Sequence, residues 1–238
     1  MQARLGESWE RQRAFVDGLA HELRTPLTLI SGHAQSLLRH SSTNQPPELE
    51  SGLRLIEAEA HRMALLVSDL LDLARRDAGR LQLQCGPLGP EEALVQVLER
   101  LTPTAQGRLQ LLSTESSARL PPVIADPERL QQCLVALIDN ALRYSPAPRP
   151  VQLFAEVSDQ SLVLHVRDQG PGVPTDERVR IFDRFVRGSA ATDSRGSGLG
   201  LSIVKLLIEA MDGRVGVTDA PGGGADFQLT LRPVAPLA

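Results

Sequence analysis

Leu162-Val163-Leu164-His165-Val166-Arg167-Asp168-Gln169-Gly170-Pro171-Gly172-Val173 reads as a β-strand, Leu162–Arg167, that runs into a glycine turn. A carboxylate, Asp168, stands at the strand's end. Such a group can accept a hydrogen bond from an exocyclic amine like that of adenine, and the glycines after it let backbone approach the base closely. Outward from this stretch, strand-like runs recur at Leu81–Cys85, Arg108–Ser113, Val151–Val157, Val215–Thr218 and Phe227–Leu231. Helical patterns lie between them at Pro90–Leu101, Pro127–Tyr144, Asp176–Val186 and Leu199–Met211. Mixed strands and helices over residues 81–238 predict one α/β sandwich, a sheet with helices packed on one face.

The first 80 residues follow a different rule. Phe15, Leu19, Leu23, Leu27, Ile30, Ala34 and Leu37 recur at helical spacing, and Leu49, Leu53, Ile56, Ala60, Met63, Val67, Leu70 and Ala74 do so again. Helix-breaking residues, Ser41 to Pro47, separate the two stretches, and Gly79 closes the second. This predicts an antiparallel helical hairpin over 1–80 with arms roughly 45 Å long. Two arms bury little on each other, so two hairpins are expected to pair into a dimeric four-helix bundle. The segment Gly79–Pro90 is the expected hinge between the two domains.

Composition excludes several classes. The chain has 238 residues, is 42% hydrophobic and 23% charged, and carries a formal charge of −4, which argues for folded globular structure and against an electrostatic grip on nucleic acid. Only 5 Phe, 1 Trp and 1 Tyr are present, too few for base-stacking platforms. Cys85 and Cys133 stand far apart with no metal-ligand spacing. No apolar run reaches the length of a membrane span.

Three further constellations carry chemistry. Asn140 and Arg143 lie three apart near the end of a helix, so an amide oxygen for Mg²⁺ and a guanidinium for phosphate share one face. Arg195-Gly196-Ser197-Gly198-Leu199-Gly200-Leu201 is a glycine loop opening a helix, a cradle of backbone donors at a positive helix end. It fits neither the dinucleotide fingerprint, whose third glycine is misplaced here, nor a P-loop, which needs a lysine and a Ser or Thr after the glycines. His21 falls at about 200° from Leu19 on the first helical wheel, opposite the apolar stripe. There its imidazole is free to act as a nucleophile, with Glu22 beside it as proton acceptor and Thr25 one turn on. His33, His40, His61 and His165 read as ordinary histidines.

Taken in order, these motifs resemble the sensor histidine kinases of two-component systems across nearly the whole chain. His21-Glu22-Leu23-Arg24-Thr25-Pro26 is similar to the family's phosphoacceptor box, the stretch around Asn140 to its N box, and Asp168-Gln169-Gly170-Pro171-Gly172 to a glycine box. Ile181-Phe182-Asp183-Arg184-Phe185 is similar to the F box, and Gly196–Gly200 to the last glycine box. The resemblance implies a dimerisation and phosphotransfer hairpin at 1–80 and a catalytic ATP-binding domain of the GHKL (Bergerat) type at 81–238. It implies ATP and Mg²⁺ as cofactors and autophosphorylation of His21, with Glu22 as general base. A response regulator aspartate would then receive the phosphoryl group, and Thr25 would assist phosphatase attack on that partner. Asn140 would hold Mg²⁺, while Arg143 and Arg187 meet phosphates and Tyr144 lies near the nucleotide. Asp168, Gly170 and Gly172 would hold the base, Gly196, Gly198 and Gly200 would shape the lid and its phosphate contact, Leu199 would also meet the nucleotide, and Phe182 and Phe185 would anchor the lid.

Two positions depart from the pattern. Ala136 stands where the family often has a first asparagine of the N box, implying a retuned affinity for ATP, and Gly222–Phe227 lacks the usual threonine after its glycines. Ala136 also keeps open a second reading, a degenerate module that scaffolds a partner without catalysis. A GHKL ATPase or serine kinase is a third, which the His21 segment opposes, and a phosphatase-dominant form a fourth. The chain is expected to be the cytoplasmic catalytic fragment of a larger receptor anchored in the membrane.

Overall fold

The computed structural model describes residues 27–30, 32–34, 36–37, 46–102, 105, 107–112, 120–158, 161–189 and 198–234. It divides into two compact units, Met1–Ala74 and Arg75–Ala238. In the first unit, α1 is helical at 27–30, 32–34 and 36–37, and α2 runs Pro46–Asp77. Gly52 in α2 is buried where a Cβ would meet the Leu37 side chain of α1 at 2.8 Å, so the two helices pack closely there. Leu66 and Leu73 are buried. Leu53, Leu65, Val67 and Leu71 stay about half exposed, so α2 carries apolar surface that the described residues leave uncovered.

The second unit is built on a five-stranded mixed sheet of order β2-β4-β5-β7-β6: β2 Leu109–Leu111, β4 Val151–Ser158, β5 Ser161–Arg167, β7 Ala225–Leu231 and β6 Arg214–Asp219. The β2–β4 pair is parallel and the other pairs are antiparallel. A separate antiparallel pair joins β1 Gly86–Leu88 to β3 Val123–Ala125. Three helices, α3 Pro90–Leu101, α4 Pro127–Tyr144 and α5 Gly200–Ala210, cover one face of the sheet. The core lies between them. Val151, Leu153, Leu162, Leu164, Val166, Leu229 and Leu231 face Leu94, Val97, Leu134, Leu137, Ile138, Val204 and Leu207, all at most 2% exposed. Each of these strands alternates into this layer with period two, and each helix contributes one stripe.

Helix α4 begins where Pro127 can take the first helical position and Asp126 the cap. Asp126 Oδ1 accepts from the backbone N–H groups of Glu128 and Arg129 at 3.1 and 3.2 Å. Its Oδ2 accepts from the Gln84 N–H at 2.8 Å.

Three expectations change. Leu81–Cys85 forms no strand; pairing with β3 begins at Gly86. Asp176–Val186 is a run of turns with only a 3₁₀ turn at Arg180–Phe182, because Ile181 and Phe182 bury together as neighbours and Phe185 takes a left-handed φ of 61°. The unit boundary falls between Ala74 and Arg75, ahead of the expected hinge segment Gly79–Pro90. That segment belongs to the second unit and is bound there through Gln84 and β1, while the last turn of α2 is fastened by Asp77 to Arg184 at 2.9 and 3.0 Å.

Candidate functional site

The site gathers around the end of β5. Asp168 is 4% exposed, and its Oδ1 accepts from the N–H groups of Gly170 at 2.7 Å and Ala225 at 3.1 Å. Its own N–H donates to the Ala225 carbonyl at 2.8 Å, so Ala225 grips Asp168 twice. Oδ2 accepts no hydrogen bond among the described residues and is not sealed from the surface. Burial pushes this carboxyl above the usual carboxylate range; the two N–H groups pull it down and the charge of Asp226 pushes it further up. The result is a rigidly held carboxylate with one oxygen left for an incoming donor.

The turn that delivers Ala225 depends on glycine. Gly224 has φ 103°, and a Cβ there would lie 2.2 Å from the Asp168 carbonyl oxygen. Gly172, at φ 77°, faces the Gly224 carbonyl from the other side. The expected tight turn at Gly222–Gly224 is therefore part of the site's floor.

Helix α4 meets the same loop through its C-terminal end. The buried Ser145 accepts the Gln169 N–H on its Oγ at 2.9 Å, and Arg149 Nη1 donates to the Gln169 carbonyl at 3.2 Å. Arg108 then ties down the end of the helix, donating to the carbonyls of Leu142 at 3.0 Å, Ser145 at 2.9 Å and Arg149 at 3.0 Å. A guanidinium in that place satisfies carbonyls that a helix end leaves unpaired and offsets its negative dipole. Sequence reasoning missed Arg108, Ser145 and Arg149; nothing in a lone arginine before a strand announces a contact to residues some 40 positions on.

Asn140 and Tyr144 are half-buried on α4, and Arg143 is exposed beside them. The Asn140 side chain makes no hydrogen bond among the described residues, so its amide oxygen is available. No group of three or more His, Cys, Asp or Glu side chains among the described residues could hold a metal. A single amide oxygen still suits Mg²⁺, which keeps several waters and takes its other ligands from substrate phosphates.

Opposite α4, the glycine loop returns to the fold. The Phe185 N–H donates to the Gly198 carbonyl at 2.9 Å, and Gly198 (φ 68°) lies so close that a Cβ would sit 2.8 Å from the Phe185 Cα. These two residues pin the ends of the 186–197 segment together. Glu177 holds its start, accepting the Ser189 N–H at 2.9 Å, and that bond keeps the Glu177 carboxyl below its ordinary range. Phe182 anchors the base, edge-on to Phe227 at 6.4 Å. Arg187 is exposed within this segment. Gly200 opens α5 with empty space where a Cβ would stand. Leu199, expected to touch the nucleotide, is fully buried and offers no side-chain surface; its carbonyl instead accepts from Ser202 Oγ and the Ile203 N–H. His21, Glu22, Thr25 and Gly196 lie outside the described residues.

Comparison with known proteins bears on this arrangement. Residues 11–79 match the family description "His Kinase A (phospho-acceptor) domain", and residues 125–235 match "Histidine kinase-, DNA gyrase B-, and HSP90-like ATPase". The sensor protein DivL of Caulobacter vibrioides is 35% identical over 96% of this chain and 29% of its own length. Sensor histidine kinase YkoH of Bacillus subtilis is 34% identical over 92% of this chain and 47% of its own. This chain belongs to the sensor histidine kinase family. Among solved structures, full-length ShkA in complex with AMPPNP is 35% identical, with a TM-score of 0.65 over 92% of this chain and 46% of that one. The chain thus spans less than half the length of each of these relatives. Its fold is the α+β architecture expected, a helical hairpin followed by a GHKL-type sandwich. No helix among its described residues is long and apolar enough to cross a membrane.

Proposed function

We propose that this chain is the catalytic part of an ATP-dependent protein-histidine kinase. In this reading residues 1–80 form the dimerisation and phosphotransfer hairpin and 81–238 the ATP-binding catalytic domain. The observation that carries it is Asp168, buried and gripped through Oδ1 while Oδ2 stays open, at the centre of an ATPase-type fold. An exocyclic amine donates well to such an oxygen, which selects adenine over guanine at that point. The AMPPNP complex of the related ShkA supports a nucleotide at this fold.

The phosphates then fall to α4 and the glycine loop. Arg143 and Arg187 meet phosphate oxygens, and the backbone of Gly198 and Gly200 lies at the positive end of α5, with Gly196 assigned to the same phosphate contact by its place in the sequence motif. Mg²⁺, held by Asn140, supplies charge neutralisation at the phosphates when bound. The His21 imidazole attacks the γ-phosphorus; the P–O bond to ADP breaks, a P–N bond forms, and Glu22 takes the imidazole proton. The phosphoryl group next passes to a response regulator aspartate, and Thr25 serves the reverse, hydrolytic reaction. The exposed apolar surface of α2 supports pairing of two hairpins into a four-helix bundle.

The test uses γ-labelled ATP with Mg²⁺ and the whole chain. An acid-labile, base-stable label that His21→Gln removes is expected. Nucleotide binding without any label would favour the scaffold reading that Ala136 leaves open, and a base-labile label would point to a serine.

A further inference from the structure

His165 and Asp226 are each only 3% exposed, yet both lie on the sheet face turned away from the helices. Their strand neighbours Leu164, Val166 and Phe227 fill the core layer, so alternation assigns His165 and Asp226 to the open side. They are buried there by one another. His165 Nδ1 lies 3.0 and 3.2 Å from the two Asp226 oxygens, and because a carboxylate only accepts, Nδ1 is the donor. Arg167 donates to Asp226 Oδ2 from Nη2 at 2.8 Å and from Nε at 3.3 Å. The Phe154 ring stacks on His165 at 4.3 Å, and the Arg167 guanidinium lies 4.6 Å over that ring. Glu156 closes the cluster, 3.4 Å from His165 Nε2.

Burial alone would raise the Asp226 carboxyl, but the hydrogen bonds from His165 and Arg167 outweigh it and hold the group below its ordinary range. Buried charge clusters contribute little net stability compared with apolar packing. This one therefore needs another reason to be here, and its position supplies one. Asp226 directly follows Ala225, whose N–H and carbonyl grip Asp168. The first residues of β7 are thus held from one side by Asp168 and from the other by the cluster.

We propose that Asp226, clamped by His165 and Arg167, is a positioning residue for nucleotide selection: it fixes the start of β7 so that the Ala225 N–H aims Asp168 and leaves Oδ2 to accept from the purine amine. This inference rests on the reading of Asp168 as the adenine contact. The experiment is calorimetric titration of the whole chain with ADP and, separately, with GDP, which presents a carbonyl where adenine carries the amine. His165→Leu removes the donor to Asp226, while His165→Asn places an amide donor near the position of Nδ1. His165→Leu is expected to weaken ADP about tenfold, the loss of one hydrogen bond to a charged group, and to leave GDP unchanged, which narrows the ADP preference. His165→Asn is expected to restore ADP binding to within about threefold. Arg167→Ala, at a side chain only 24% exposed, repeats the loss independently should His165→Leu fold poorly.

Wild-type ADP affinity in His165→Leu and Arg167→Ala overturns the proposal. So does equal weakening of ADP and GDP in both, or failure of His165→Asn to rescue, since either marks a merely structural cluster. Asp168→Asn separates the two levels. If it binds ADP as the wild type does, the reading of Asp168 fails and takes the positioning role with it. If it loses ADP while the cluster variants do not, the positioning role alone fails.

Discussion

Replacing Gly224 by alanine isolates the contact on which the site's geometry depends, and Gly223 provides its control. The two glycines are neighbours with nearly the same φ, 103° and 100°. Alanine in such a conformation costs about 1–3 kcal/mol at either position. At Gly223 nothing lies within 4 Å of an added Cβ, so the conformational cost is the whole cost. At Gly224 the Cβ would stand 2.2 Å from the Asp168 carbonyl oxygen and 2.8 Å from the Gln169 Cα, both backbone atoms that no rotamer change can move. Ordinary contact begins at 3.4 Å, so strand β7 and the Asp168 loop must part by roughly 1 Å. That breaks the two hydrogen bonds between Asp168 and Ala225, each worth about 1 kcal/mol net, and strands a buried N–H at a further cost of about 1–3 kcal/mol. Gly224→Ala is thus expected to lose about 4–8 kcal/mol and Gly223→Ala about 1–3. The shared strain cancels, so at roughly 2–4 °C per kcal/mol the remaining difference of about 3–5 kcal/mol makes Gly224→Ala melt about 6–20 °C below Gly223→Ala by circular dichroism. Its ADP affinity falls by more than tenfold, while Gly223→Ala keeps affinity near that of the parent. Equal melting temperatures and equal ADP binding in the two variants would refute the claim that the three-glycine turn locks Asp168.

Three further outcomes follow from the same geometry. Arg108→Ala frees three carbonyls at the end of α4 and is expected to cost about 2–4 kcal/mol in thermal unfolding, with weaker ADP binding because Ser145 no longer braces Gln169 firmly. ADP affinity should fall on acidification with a midpoint above the ordinary carboxylate value, because burial raises Asp168, the N–H groups of Gly170 and Ala225 oppose that only in part, and Asp226 adds to it; Asp168→Asn removes this acid limb from the titration. The stability signs are opposite for the two acids. The raised pKa of Asp168 makes its ionised form a cost at neutral pH that vanishes as pH falls, whereas the stabilisation from the lowered pKa of Asp226 is present above its unfolded value and is lost as pH falls through the folded one. Finally, Ala136→Asn places a second amide one helical turn before Asn140 and should tighten Mg²⁺–ATP about fivefold in a titration, with Mg²⁺-free binding unchanged.

Much of the second unit was legible because its elements announce themselves locally. Pro90 and Pro127 mark helix starts and the apolar stripes of α3 and α4 end where expected, so both helices match the sequence reading at Pro90–Leu101 and Pro127–Tyr144. Asp168 was legible because a carboxylate between a strand and a glycine turn is a local signal. The segment at 176–186 was not: its apolar residues mimic helical spacing, while the conformation is decided by Phe185 meeting Gly198 across the loop. Strand β3 went unread because three residues without alternation become a strand only through pairing with β1. His165 carried the least information of all. A lone histidine in an apolar strand has an ordinary reading, and its partner Asp226 lies 61 positions away, brought diagonally across from it by the β5–β7 register that sets Arg167 opposite Asp226. Long-range pairing of that kind is what spacing within a sequence does not reveal.

The central claim, that one chain carries both an adenine-selective ATP site and the phosphoacceptor His21, is tested most directly by mapping the phosphoryl group. The chain is incubated with Mg²⁺ and ATP, digested with trypsin at neutral to alkaline pH, and its peptides weighed. One added phosphoryl group on the peptide spanning 14–24, acid-labile and absent from both His21→Gln and Asp168→Asn, is the expected result. Phosphoryl on another peptide, or undiminished phosphoryl on 14–24 in Asp168→Asn, would contradict the account.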